Sequence, residues 1–446
     1  MDGSMLILIA VAGIFLLLYL VMGVKLHAFV ALLLVSLLVG VAAGMPLGDI
    51  LSSVESGMGG TLGFVAVVVG LGAMFGRMLE VSGGAERLAQ TLIGKFGEKN
   101  SQWALGITGF IVAIPVFFDV GFIILVPIIY GLARKTGKSL LFYGIPLLAG
   151  LAVTHSYIPP TPGPIAVATI IQADLGWVIL FGAIAGIPSM IIAGPIFGKF
   201  IAKRIHVVVP EYMEVDQKEY DKDLPSFGLI AFLVFIPLIL ILANTLSGVL
   251  LDEGNAIRSF LTFLGHPFVA LTIATLLTFV LLGTRRGYTR DEVQDIATKA
   301  LEPAGIIILV TGAGGVFKQI LIDSGVGEVL GQMMANSSLP PILMAFGIAV
   351  LVRIAQGSAT VAMVTAAGLV TPLIETIGYT GPILGLIVIA IAAGATAVSH
   401  VNDSGFWLVN RYFGLDVKDT LKTWTVMETI IGVVGFLVVF IISLFI

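Results

Sequence analysis

The chain is a succession of apolar stretches, most of them as long as a bilayer is thick, with one polar interruption. Runs near 5–24, 28–44, 61–80, 103–133, 140–173 and 177–203 precede the polar segment 204–226. Runs near 227–250, 267–283, 303–322, 340–376, 381–411 and 424–446 follow it. About 20 apolar residues cross the hydrocarbon core as a helix, and backbone in lipid must satisfy its own hydrogen bonds, so runs of this kind predict helices. Charged residues make up only 11% of the chain, too few to clothe a water-soluble core of this size. The expected fold class is an all-α membrane protein. There is no cysteine, which excludes disulfides and thiol catalysis. The net charge of −4 gives no pull toward nucleic acid. The first run lacks a basic n-region and a small-residue cleavage site, so it reads as a retained span.

Six runs lie on each side of the polar segment. This divides the chain into a first repeat (1–203), a linker (204–226) and a second repeat (227–446). Segments 103–133 and 340–376 are too long for one span and short for two. Each has a polar or glycine-containing middle, Phe118-Asp119-Val120-Gly121 in one and Arg353 to Ser358 in the other. Re-entrant hairpins fit them, because irregular backbone at membrane depth survives only where protein or a cavity satisfies it; two short ordinary spans each are the alternative. With the hairpins non-crossing, each half has about five crossings. Placing the N-terminus outside then puts the Lys and Arg residues inside, Lys99, Lys218 and Lys222 among them, save Arg77, Arg258, Lys318 and Arg353. Asp49, Glu55, Asp174, Asp252, Glu253 and Glu375 fall outside. That is the positive-inside bias, and it predicts both termini outside.

The halves also correspond in sequence. The stretch from Phe75 to Glu86 lines up with that from Phe317 to Glu328, with Phe, Leu, Ser, Gly and Glu coinciding. Ala152-Val153-Thr154-His155 matches Ala397-Val398-Ser399-His400, and Gly121 falls opposite Gly357. An odd number of crossings per half inverts the second copy. Inverted repeats with interrupted helices near the midplane are the mark of secondary transporters. The expected architecture is an inverted repeat of about five helices each, with two re-entrant hairpins and two broken helices.

The breaks are where chemistry is expected. Four prolines in the stretch 159–164 interrupt 140–173, bringing Thr154, His155 and Thr161 to the break. Ser399, His400, Asn402, Asp403 and Ser404 interrupt 381–411. Opened helices present N-termini with partial positive charge, suited to an anion. A lone carboxylate amid aromatics, Asp119, is costly to keep ionised. Either it exchanges a proton or contacts substrate beside Gly121, or it is a structural group paired with Arg353. His155 and His400, being repeat-related, either tie down unwound backbone or relay protons and touch substrate. Asp403, with Asn402 and Ser404, either binds substrate hydroxyls or caps a helix. Arg353, beside Gln356, Ser358 and Thr360, is a candidate partner for a substrate carboxylate, an internal ion pair being the alternative. The glycines at 312, 314 and 315 read as close helix packing. No H-E-x-x-H motif or nucleophile constellation is present, so neither a metal site nor an enzyme is expected, and no cofactor beyond a coupling proton.

The motifs MGGTLG at 58–63, FFDVGF at 117–122, PPTPGP at 159–164, GSATVA at 357–362 and SHVNDSGFW at 399–407 resemble those of the gluconate permease (GntP) family of bacterial proton symporters. The resemblance runs in order from the second span to the C-terminus. It implies the ion-transporter superfamily fold, a scaffold domain beside an elevator-like transport domain, a homodimer in the bacterial inner membrane among lipid, and a small anionic, gluconate-like substrate. Asp119 stands where gluconate members commonly carry Glu. The resemblance also implies proton coupling through Asp119, His155 and His400. A sodium- or proton-coupled carrier of another hydroxy acid, dicarboxylate or D-serine-like substrate is the alternative.

Overall fold

The computed structural model describes residues 3–97, 100–210, 224–326, 329, 339–401 and 403–446, and every regular element among them is helical. Lys99, Lys218, Lys222, Gly327, Glu328, Asn402 and most of the 204–226 linker lie outside the described residues. The first half comprises α1 (Gly3–Leu18), α2 (Ala28–Ala42), α3 (Leu47–Val81), α4 (Gly84–Phe96), α5 (Ser101–Val112), α6 (Phe118–Thr136), α7 (Leu140–Tyr157), α8 (Pro162–Ile170), α9 (Leu175–Ile191) and α10 (Phe197–Ile201). The second comprises α11 (Phe227–Leu250), α12 (Ala256–Leu264), α13 (Pro267–Thr278), α14 (Arg290–Lys299), α15 (Leu301–Asp323), α16 (Pro341–Gln356), α17 (Ala359–Ile377), α18 (Pro382–Thr396), α19 (Ser404–Phe413), α20 (Val417–Thr420) and α21 (Val426–Ser443). Among the described residues, eight helical segments are long and apolar enough to cross a membrane.

Element order recurs between the halves. A long helix comes first, 35 residues over Leu47–Val81 and 34 over Arg290–Asp323. A helix pair follows, α5 with α6 and α16 with α17, and then an interrupted helix, α7 with α8 and α18 with α19. Each half closes on a 27-residue segment, Leu175–Ile201 and Val417–Ser443, carrying one π-helical turn, Ile192–Ile196 and Leu421–Thr425. The long helices α3 and α15 lie along each other. A Cβ at Gly57 would sit 2.7 Å from the Gly315 carbonyl oxygen, so the glycine run 312–315 lets two backbones touch, as its small residues predict. The interrupted helices are the centre of the molecule, and α18 is buried without a gap from Leu384 to Thr396. At about 1.5 Å per residue, α5, α8 and α19 reach only about 14 to 18 Å, short of a bilayer core of about 30 Å.

The breaks fall at other residues than the sequence predicts. Between α5 and α6 the chain leaves the helix at 113–117, around Pro115, so Asp119 lies in the first turn of α6 and not in the gap. Proline lacks the N–H that would continue α5, and the α6 N-terminus welcomes a negative side chain. In the second pair the break is only Gly357, at φ 77°, and the N-cap Ser358. Gly121 and Gly357 are therefore not equivalent: by helix starts, Phe117 matches Ser358 and Asp119 matches Thr360. The proline-rich stretch is partly helical too. Helix α7 runs on through Thr154 and His155 to Tyr157, and α8 begins at Pro162, a position where the missing N–H costs nothing. The second interruption lies between Thr396 and Ser404, with Val398 at φ 58°. Ser399 and His400 are thus unwound where their sequence counterparts are helical.

Candidate functional site

One cavity of about 550 Å³ gathers the tips of both helix pairs and the second interruption. Three helix starts face it: Phe117 to Val120 of α6, Ser358 to Val361 of α17, and Asp403 to Gly405 of α19. The first interrupted helix contributes Ala152, His155 and Ser156 from the end of α7, and α15 contributes Pro303, Ile306, Ile307 and Val310 as an apolar wall. Helix N-termini carry unsatisfied N–H groups and partial positive charge. Two are capped from within the site. Ser358 Oγ accepts from the Val361 N–H at 3.5 Å, and Asp403 Oδ1 accepts from the Gly405 N–H at 3.1 Å.

The polar groups divide by origin. Arg353, 2% exposed, donates through one guanidinium nitrogen to Asp403 Oδ2 at 2.5 Å and through the other to the Gly357 carbonyl. Ser399 donates to the same Asp403 oxygen at 2.5 Å and accepts from Trp424 Nε1 at 2.7 Å. Asp403 thus caps α19, one of its two readings from sequence, and is in addition the acid of the internal ion pair considered for Arg353. The pairing of Arg353 with Asp119 considered from sequence does not occur, because Asp403 holds the arginine. Among the described residues the Asp119 carboxylate has no hydrogen-bond or ion-pair partner, and it opens to the cavity. His155 Nδ1 is buried and unpartnered, with the ring edge-on to Phe117 at 6.4 Å between centroids.

Of the site residues read from sequence, Asp119, His155, Arg353, Ser358, Thr360, Asp403 and Ser404 line this cavity. The others do not. Gly121 packs beneath Leu151 and Val112. Thr154 is fully buried. The Thr161 hydroxyl donates to the Ile158 carbonyl at 2.6 Å. Gln356 turns to Thr365 at 3.4 Å, Ser399 supports from behind, and His400 Nε2 pairs with the Ile354 carbonyl at 3.0 Å. Asn402 lies outside the described residues. Sequence reading missed Ser156, Trp424 and Glu428, which also line the cavity. Glu428 did leave a signal, as the sole charged residue in the last apolar run. Among the described residues there is no His, Cys, Asp and Glu cluster fit for a metal.

A family model described as GntP family permease matches residues 5–445. The chain is 45% identical over 438 residues to the low-affinity gluconate transporter of Escherichia coli K12, covering 98% of each chain. It is 43% identical over 431 residues to the Gnt-II system L-idonate transporter of the same organism, covering 97% of each. Among solved structures, the YdaH transporter of Alcanivorax borkumensis superposes with a TM-score of 0.67 at 12% identity, over 94% of this chain and 98% of that one. This last likeness is one of fold.

Proposed function

The chain belongs to the GntP family of permeases, and from that premise we propose that it imports gluconate or a closely related sugar acid by proton symport. The observation that carries this reading is the charge inventory of the cavity. Three helix N-termini and Arg353 supply positive character, while Asp119, Asp403 and Glu428 supply three carboxyl groups. With all of these ionised the site is negative overall, and a sugar acid adds one charge more. Two like charges about 5 Å apart at an effective dielectric of about 20 repel by about 3 kcal/mol. Binding a carboxylate here therefore favours taking up a proton alongside it, which is the thermodynamic content of symport.

In this reading Arg353 and the starts of α17 and α19 hold the substrate carboxylate, Ser358, Thr360 and Ser404 meet hydroxyls, and unpaired Asp119 carries a proton. A volume of about 550 Å³ is ample for a six-carbon acid. Phe117, Val120 and Pro303 also wall a second cavity of about 360 Å³ that holds Arg77, Glu80, Lys299 and Glu302, a route toward the basic, inner face. The recurring element order is read as an inverted repeat, with α5–α6 and α16–α17 as re-entrant pairs that move with the interrupted helices in an elevator-type cycle. The residues before and after the linker form its two copies. The family resemblance supports a homodimer in the bacterial inner membrane, and the charge bias supports both termini outside.

The test is uptake of labelled gluconate into proteoliposomes holding the purified protein, in sodium-free buffer, with and without an inward proton gradient. Accumulation that collapses with an uncoupler is expected, with L-idonate competing. A strict sodium requirement, or accumulation indifferent to the gradient, would overturn proton symport.

A further inference from the structure

Glu428 enters the charge inventory of the cavity, but nothing above assigns it an individual role. It sits in the first turn of α21, directly after the π-helical turn Leu421–Thr425 that presents Trp424 to Ser399. It is 4% exposed, lines the cavity, and its Oε1 is buried without a partner among the described residues. Across the same wall lies Arg353, whose Nε is likewise buried and without a partner among the described residues. Glu428 is within electrostatic reach of both Arg353 and Asp403.

The elements packed on α21 are α7, α9, α16, α18 and the two π-helical turns. The titratable groups they carry are Tyr143, His155 and Tyr157 on α7, Arg353 on α16 and Lys422 in the second turn. Tyr157 donates to the Ile431 carbonyl at 2.8 Å, Tyr143 meets Thr136 at 2.9 Å, and Lys422 pairs with Asp419 at 3.1 Å. Among the described residues, Arg353 and His155 are therefore the basic groups of this set left without a full set of partners, and of the two only the guanidinium is charged at every working pH. An ionised carboxylate with one oxygen desolvated and unpaired costs several kcal/mol, and either a proton or a nearby cation relieves that cost.

We propose that Glu428 is a second proton-carrying residue, whose proton is exchanged against the field of Arg353. With the site empty, Arg353 serves the carboxylates of the protein. When a substrate carboxylate engages Arg353, that support is divided and Glu428 takes a proton; when substrate leaves, Arg353 returns and the proton is released. Binding of substrate and proton thereby assist each other reciprocally. The link to moving parts is local, since the next residue, Thr429, accepts the Val398 N–H at 3.2 Å in the interrupted helix. This inference rests on the symport reading and assigns it a further site.

The experiment uses full-length wild type, Glu428→Gln and Glu428→Asp in proteoliposomes. It compares proton-driven gluconate accumulation, gluconate exchange without a gradient, and the pH dependence of gluconate affinity. Glu428→Gln should lower accumulation about tenfold or more, a coupling of ordinary size, slow exchange by a smaller factor, and flatten the pH profile. Glu428→Asp should restore coupling with a displaced profile. Wild-type accumulation and an unchanged profile in Glu428→Gln overturn the proposal while leaving symport standing. Wild type that ignores the gradient overturns both. If Glu428→Gln does not fold, Glu428→Asp decides: a displaced profile supports the proposal, and an unmoved one overturns it.

Discussion

The two sides of the cavity are built from corresponding elements and yet are wired differently. On the second-half side, Arg353, Asp403, Ser399 and Trp424 form a continuous chain of hydrogen bonds from the tip of the helix pair through the interruption to the last span. On the first-half side, Asp119 has no partner among the described residues and His155 Nδ1 is buried unpaired. The cause lies in the breaks. The second interruption is unwound from Ala397, which frees Ser399 and His400 to bond sideways, whereas α7 stays helical through its last turn and carries His155 as an ordinary helical side chain. Elements that recur in the same order have thus yielded one latched wall and one free wall. In the proposed function the latched wall holds the shape of the site and the free wall exchanges ligands or protons.

The contrast is most sharply broken by removing one charge from each wall. Asp403→Ala leaves the buried Arg353 guanidinium uncompensated, and loss of one partner of a buried pair costs about 3–5 kcal/mol. Asp119→Ala removes no pairing and should cost about 1 kcal/mol or less. Thermal unfolding of the two purified variants checks this, and equal destabilisation would mean that the walls are not differently wired.

Function should divide the other way. Asp119→Asn is expected to lose proton-driven gluconate accumulation by about tenfold or more while exchange persists in part, with little change in melting temperature. Accumulation at the wild-type level would remove Asp119 from the coupling machinery.

The smallest effect concerns the histidines. His400→Ala forfeits the bond to the Ile354 carbonyl and should destabilise by about 1 kcal/mol. His155→Ala breaks no hydrogen bond among the described residues and removes a buried unpaired nitrogen along with the edge-on Phe117 contact, so it should destabilise by less than about 1 kcal/mol, its main effect falling on the pH profile of transport instead. If His155→Ala is the more destabilised of the two, the two histidines matched in sequence do share one structural task.

Much of the molecule was legible without coordinates. Runs of about 20 apolar residues fix helices and a bilayer, because lipid leaves the backbone no other partner. The recurrence of elements shows in the spacing of those runs, and Gly312, Gly314 and Gly315 announce a close crossing. The polar groups that converge were mostly visible too, since an ionisable or unwound residue amid apolar sequence has few other reasons to be there.

What sequence could not settle is which of those groups touch. A helix end moves with a single proline, and Pro162, expected to break a helix, starts one. Choosing among Asp119, Asp403 and Glu428 as the partner of Arg353 depends on where separate helices meet, a difference of a few ångströms between residues 50 or more apart in the chain. Periodicity carries no such information. The sequence by itself determined the solvent, the helices and most of the candidate polar residues. Tertiary packing alone decided that Arg353 is held by Asp403, that Asp119 has no partner among the described residues, and that Glu428 belongs to the same cavity, because hydrogen-bond selection is a matter of distance and not of composition.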